Sequence, residues 1–230
     1  MSRLRKLDER LWILDAPAEA RGLALGARAT IIGLSDGGVA VISPVALDAE
    51  TKNEVEALGP VRALIAPNSF HHLFLESWRA VFPHVKVYVS PVLAAKKPGL
   101  HRDGLLSDEP PPLWAADMKQ ALVNGAPKLG EYVFFHPASR TVIQTDSAFN
   151  VRNAPKRMTR IFMQLNGGYG AYGPTRYFAF LAKDKHAVGG SFRRMLEWDF
   201  DRIVVAHGAI VEVGGRAEMR RAYTKYLAAR

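Results

Sequence analysis

Residues 61–90 read VRALIAPNSFHHLFLESWRAVFPHVKVYVS. VRALIAP (61–67) is a nearly continuous apolar run, the composition of a strand covered on both faces. HHLFLESWRAVF (71–82) stops at Pro83 and predicts a helix, with Asn68 or Ser69 as its cap. KVYVS (86–90) returns to strand. Strand, helix and strand in such close succession predict an α/β fold with layered sheet and helices.

The pattern extends both ways from this unit. ARATIIGL (27–34) and VAVISPV (39–45) are β-branched runs joined by Ser35-Asp36-Gly37-Gly38, a tight-turn sequence. LDAETKNEVEAL (47–58) predicts a helix capped by Asp48 and stopped by Gly59-Pro60. Downstream, MKQALV (118–123) reads as a strand, and EYVFFHP (131–137) with RTVIQTD (140–146) as a hairpin. Residues 96–118, with Pro110-Pro111-Pro112, read as an irregular loop, and 151–200 as a helical, basic segment. NGGYGAYG (166–173) lacks the preceding strand and following acid of a dinucleotide fingerprint and reads as a turn before the helix TRYFAFLA (175–182). DRIVVAHG (201–208) is a strand ending in His-Gly, and a last helix covers about 214–229. No composition shift marks a linker, so residues 1–230 are expected to form a single domain.

Composition narrows the function. The 230 residues are 48% hydrophobic and 23% charged, a globular balance. The absence of cysteine excludes disulfides, thiolate metal sites and cysteine nucleophiles. No apolar run is long enough to span a bilayer, and MSRLRKLDERLW carries charges where a signal peptide is apolar, so the expected location is cytoplasmic. A net charge of +9 favours anionic partners. The expected partner is a small anionic molecule. Neither nucleic acid, for want of a recognisable reading module, nor a membrane is expected.

Four residues stand where strands end. His71 and His72 follow VRALIAP, Asp146 closes RTVIQT, and His207 closes RIVVA. Side chains beyond the carboxyl ends of strands gather at one sheet edge, the usual place for ligand sites in α/β folds. Three imidazoles and a carboxylate suit zinc, iron or manganese. In the first turn of a capped helix, His71 and His72 would be kept neutral by the helix dipole. The plain alternative is polar surface at a helix start and a turn at a strand end. The other histidines, His84, His101, His136 and His186, read as solvated or structural.

At these positions the chain resembles the metallo-β-lactamase-like superfamily, and within it a divergent, uncharacterised branch. The segments that carry the resemblance are SDGGVAVISPV (35–45), LIAPNSFHHLFLESWRAVFPHVKVYVSP (64–91), SRTVIQTDSAFN (139–150) and DFDRIVVAHGAIVEVGG (199–215), in the superfamily's order. The resemblance implies a four-layer αββα sandwich with a metal site at one sheet edge, often a hydrolase. The superfamily's H-x-H-x-D-H stretch corresponds to Pro67-Asn68-Ser69-Phe70-His71-His72, so only His72 matches, with His71 where the acid belongs. A further family histidine falls near Pro127. The first metal's ligands are thus missing, whereas His72, Asp146 and His207 match those of the second.

The resemblance therefore implies one divalent ion, zinc first and iron or manganese next, held by His71, His72, Asp146 and His207. Asp146 and His207 are the expected catalytic residues, and Asn68 and Asn150 are expected either to support the ligands or to contact substrate. The implied activity is hydrolysis of an ester, amide or phosphoester by a metal-bound hydroxide. The alternative is a non-catalytic descendant that has lost its metal and binds a small anion or a partner. Nucleic-acid processing, a third reading, rests on charge and analogy alone.

Overall fold

The computed structural model describes residues 4–20 and 22–229, so Arg3 in the charged start lies outside the described residues. The chain opens with β1 (Leu4–Asp8) and β2 (Leu11–Ala16), then a short hairpin of β3 (Glu19–Ala20) and β4 (Leu23–Ala24). β5 (Ala27–Gly33), β6 (Val39–Ile42), α1 (Ala49–Glu56), β7 (Val61–Ala66), α2 (Leu75–Val81), β8 (Lys86–Val89), α3 (Pro91–Lys96) and β9 (Gly104–Leu105) follow. The second half contains β10 (Lys119–Leu122), β11 (Tyr132–His136), β12 (Thr141–Gln144), α4 (Arg157–Asn166), α5 (Arg176–Leu181) and α6 (Lys185–Met195). It ends with β13 (Arg202–Val205), α7 (Gly215–Ala222) and α8 (Thr224–Leu227).

Two main sheets form, ordered β1-β2-β5-β6-β7-β8-β9 and β10-β11-β12-β13. Alternation along the strands explains how they stack, because successive residues point to opposite faces. Ala40 and Ile42 of β6 and Ala63 and Ile65 of β7 meet Phe134, Ile143 and Val204 of the second sheet. Val39, Val41 and Leu64 face the other way, onto Val55, Trp78 and Leu93 of α1, α2 and α3. Val133, Phe135, Val142 and Val205 cover the second sheet's outer face with Phe178, Val188, Phe192 and Met219 from α5, α6 and α7. Three apolar interfaces between four layers make an αββα sandwich, as expected. Each large side chain wholly buried in them, such as Phe134, stabilises the fold by about 2–3 kcal/mol.

Both sheets place parallel strand ends at one edge. β6 and β7 pair in parallel with Ile42 opposite Ile65. β12 and β13 do the same with Gln144 opposite Val205. Two residues further on, the second pair delivers Asp146 and His207 side by side.

Two helices differ from the sequence reading. The helix after β7 begins at Leu75 rather than near residue 70, because the Asn68 side-chain oxygen accepts the Phe70 and His71 N–H groups and closes a turn instead. His71 and His72 therefore lie before the helix, outside the reach of its dipole. The C-terminal helix divides at Tyr223, whose ring stacks on Phe192 with centroids 3.6 Å apart. Among the described residues no helix is long and apolar enough to cross a membrane.

Candidate metal centre

Asp146 and His207 owe their positions to β12 and β13, and to a brace on the following loops. The Asn150 N–H donates to the His207 carbonyl at 3.1 Å, and its side-chain amide donates to the Ala209 carbonyl at 2.8 Å. Gly208 makes this possible: its φ is +103°, and a Cβ there would lie 2.2 Å from the Asn150 carbonyl oxygen. Only glycine combines that conformation with that approach.

His71 arrives from the other sheet, on the turn closed by Asn68. Its Nε2 lies 3.1 Å from Asp146 Oδ2, and His207 Nε2 lies 3.5 Å from Asp146 Oδ1. The far nitrogens are anchored: His71 Nδ1 lies 2.5 Å from Ser43 Oγ, and His207 Nδ1 lies 2.7 Å from the Gly26 carbonyl oxygen. Ser43 sits directly after β6 with φ +58°, an uncommon conformation for a residue with a Cβ and one that concentrates at functional sites. The Phe149 ring stacks on the His207 imidazole with centroids 4.7 Å apart and fixes its plane.

Beneath Asp146 lies a carboxyl group that the sequence reading did not single out. Glu131 is completely buried just before β11. It accepts the backbone N–H groups of Thr145, Asp146 and Ser147, at 3.0, 2.7 and 2.9 Å. It also accepts the Ser147 hydroxyl and the Asn68 amide. The same Asn68 amide donates to Asp146 Oδ2 at 2.8 Å. Asn68 thus orients His71 through its oxygen and Asp146 through its nitrogen.

The electrostatics follow from this packing. Burial alone would lower the pKa of His71, but the charge and hydrogen bond of Asp146, aided by the Glu131 charge, hold it above the ordinary value. Burial alone would raise that of Asp146. The charge of His71 and hydrogen bonds from both imidazoles keep it well below the usual carboxylate range. The Gly26 carbonyl can only accept, so His207 Nδ1 carries a proton. His207 Nε2 faces a carboxylate oxygen 3.5 Å away and, if it carries no proton, turns a lone pair toward it. Two lone pairs face each other unless a cation, either a proton or a metal ion, lies between them.

The donor set fits a metal ion. The donor atoms of His71, Asp146 and His207 lie within 4.8 Å of one another, the only such group among the described residues. Ligands at about 2.0–2.1 Å in tetrahedral array are about 3.3 Å apart, close to the 3.1 Å from His71 Nε2 to Asp146 Oδ2 and to the 3.5 Å from His207 Nε2 to the other carboxylate oxygen, Oδ1. Imidazoles whose second nitrogen bonds a carbonyl or hydroxyl are the usual form of histidine ligands.

Of the four expected ligands, three come together and His72 does not. It stands on the opposite side of the turn, where burial and the charges of Lys97 and Lys96 lower its pKa. His71 rather than His72 turns toward Asp146 and His207, because adjacent side chains on this turn diverge. Asn68 and Asn150, expected either to support the site or to contact substrate, are fully buried and bond within the protein, Asn68 to Asp146 and Asn150 to the loop after His207. His84, His101 and His186 are exposed, and His136 is buried with Nδ1 2.7 Å from Ser139 Oγ, all as expected. Ser43, Glu131 and Phe149 were missed. For Ser43 the only hint was its place after a β-branched strand. An open depression of about 320 Å³, lined by Asp15, Gly26, Arg28 and Gly208, adjoins His207.

Four layers and a strand-edge His/Asp/His group define a protein of the metallo-β-lactamase fold. A metallo-β-lactamase from Pontibacter korlensis superimposes with a TM-score of 0.67 at 12% identity, over 98% of this chain and 99% of that one. One from Hirschia baltica gives 0.63 at 12% identity, over 97% and 96%. A metal-soaked Flv1 flavodiiron core from Synechocystis sp. PCC6803 gives 0.65 at 12% identity, over 98% of this chain and 60% of that one. Within this fold the chain belongs to the family described as domain of unknown function DUF4336, whose profile matches residues 8–167. Among curated proteins no sequence matches.

Proposed function

We propose that this protein is a metal-dependent hydrolase with a reduced, one-ion site held by His71, Asp146 and His207. The observation that carries the reading is the paired arrangement of both imidazoles. Each has Nδ1 anchored to the protein and Nε2 turned to the same carboxylate. A divalent ion, zinc by donor preference and iron or manganese as the alternatives, would supply Lewis acidity and bring the pKa of a water it binds toward neutrality. Three protein ligands leave open the coordination position that catalytic sites keep.

The chain's own residues would do the rest. Asn68 and Glu131 hold Asp146, Phe149 holds the plane of His207, and Ser43 holds His71. The depression beside His207 is the space for substrate, an ester, amide or phosphoester. The protein's net positive charge favours an anionic one.

A second reading is favoured by the 3.1 Å contact of His71 with Asp146, a hydrogen-bonding distance for a protonated imidazole. In it the group is a buried ion triad without metal, in a non-catalytic binding protein. Metal content separates the two. Tag-free protein measured by plasma mass spectrometry is expected to carry near-stoichiometric metal, lost in both His71→Ala and His207→Ala and retained in His72→Ala. Folded protein that holds none and takes none up on dialysis against zinc, iron and manganese would overturn the hydrolase reading.

A further inference from the structure

The apolar side chains left on the surface are not scattered. Six of the eleven large exposed hydrophobics among the described residues fall between residues 147 and 183: Met158, Ile161, Phe162, Leu165, Tyr177 and Phe180. The first four recur at helical spacing and form one stripe along α4, with Leu165 65% and Met158 57% exposed. The opposite face of α4, with Thr159 and Met163, is buried, and Thr159 Oγ1 accepts the Ala24 N–H at 2.9 Å. The helix is thus docked on the protein by one face and shows an apolar stripe on the other. Such a stripe marks an interaction surface.

Charge identifies what covers it. Residues 147–183 contain six basic side chains, Arg152, Lys156, Arg157, Arg160, Arg176 and Lys183, and no acidic one. Arg157 and Arg160 lie on α4 itself and are exposed. Lys156 is paired with Glu19 at 2.6 Å, but a second copy of this chain would still bring the other five cations against themselves. A nucleic acid would match the charge and could stack on Phe162, Tyr177 or Phe180, but it has no use for Met158, Ile161 and Leu165, which make up most of the stripe along α4 and cannot stack on bases. An anionic lipid surface matches both features, taking apolar side chains at the acyl boundary and Lys and Arg at the headgroups. The patch also continues toward the metal centre. The Asn166 side chain accepts the Tyr177 N–H and joins α4 to α5, and the Tyr177 ring lies 6.3 Å from that of Phe70, the residue before His71.

We infer that α4 is an interfacial helix that docks the protein on anionic lipid with the candidate metal centre near the docked face. This departs from the expectation of no membrane partner, which rested on the lack of a spanning segment. The test is cosedimentation of the full chain with vesicles of phosphatidylcholine alone and of phosphatidylcholine with phosphatidylglycerol in equal parts. The wild type is expected to pellet with the anionic vesicles only. Ile161→Ser/Leu165→Ser and Arg157→Gln/Arg160→Gln should each weaken that binding, the charge pair on the order of thirtyfold. All of these side chains are exposed, so urea midpoints should stay at the wild-type value and separate lost binding from lost folding. Three outcomes overturn the inference. The wild type stays in the supernatant with anionic vesicles; the Ile161/Leu165 pair binds as well as the wild type, which means adsorption by charge alone; or the wild type is a dimer by light scattering that this pair converts to monomer.

Discussion

Two buried carboxyl groups, Glu131 and Asp117, are built alike and serve different ends. Each accepts backbone N–H from a distant loop, one group at Asp117 and three at Glu131. Asp117 accepts the Ser35 N–H at 2.9 Å and is gripped by the Arg10 guanidinium, which also bonds the Gly33 carbonyl. It clasps the β5–β6 turn to the loop before β10. Among the described residues no Lys or Arg pairs with Glu131, which instead gathers three successive amides of the turn that bears Asp146. A carboxylate paired with arginine secures a junction. One surrounded by amides sets the shape of a functional loop, and its loss leaves several buried donors unsatisfied at once.

Replacing Glu131 is the strongest way to break this comparison. Glu131→Ala should lower stability by about 4 kcal/mol, since each stranded donor costs roughly 1–3 kcal/mol before relaxation. A urea midpoint within about 1 kcal/mol of wild type would show that the three amides find other partners. Gly208→Ala acts on the same site from its other loop. The clash with the Asn150 carbonyl and the positive φ predict a loss of about 3 kcal/mol together with displacement of His207. Retention of wild-type stability and metal content by Gly208→Ala would refute the brace.

Asp117→Asn tests the other carboxyl group and should cost about 2 kcal/mol at neutral pH. Burial pushes the Asp117 pKa up, but the Ser35 amide and Arg10 outweigh it and bring it below the ordinary value. Its stabilisation is therefore complete above the usual carboxylate pKa of about 4 and fades as pH falls through the lower folded value. The gap between wild type and Asp117→Asn in urea titrations should narrow on acidification, and a gap that widened would reverse the assignment.

The smallest expected change is at Ser43. Ser43→Gly relieves a left-handed conformation worth about 1 kcal/mol, while removing the hydroxyl on His71 Nδ1. Stability should rise slightly or stay level, and metal affinity should fall on the order of tenfold to a hundredfold. Unchanged affinity would mean that the turn closed by Asn68 orients His71 without Ser43.

Much of this was legible before any coordinates. The strands 27–33, 61–66 and 141–144 announce themselves because β-branched apolar runs fit only a covered sheet, and Asp48 caps α1 as its side chain suggests. Asp146 and His207 could be placed at one edge because each closes a strand. His71 and His72 could not be told apart. Neighbouring residues on a turn point in different directions, and the choice depends on Asn68 accepting two N–H groups rather than capping a helix.

Glu131 was invisible for a related reason: in GEYVFFH it reads as the polar first residue of a strand, and the amides it gathers lie 14 to 16 positions away. What the residues alone determined is the order of strands and helices and the edge at which the chemistry collects, because hydrophobic periodicity acts locally and sums along each element; the four-layer stacking was implied only by the family resemblance. Which histidine turns inward, which carboxyl group holds the loop and which apolar stripe stays uncovered were decided only by tertiary structure. Each of these depends on hydrogen bonds or contacts between segments far apart in the chain.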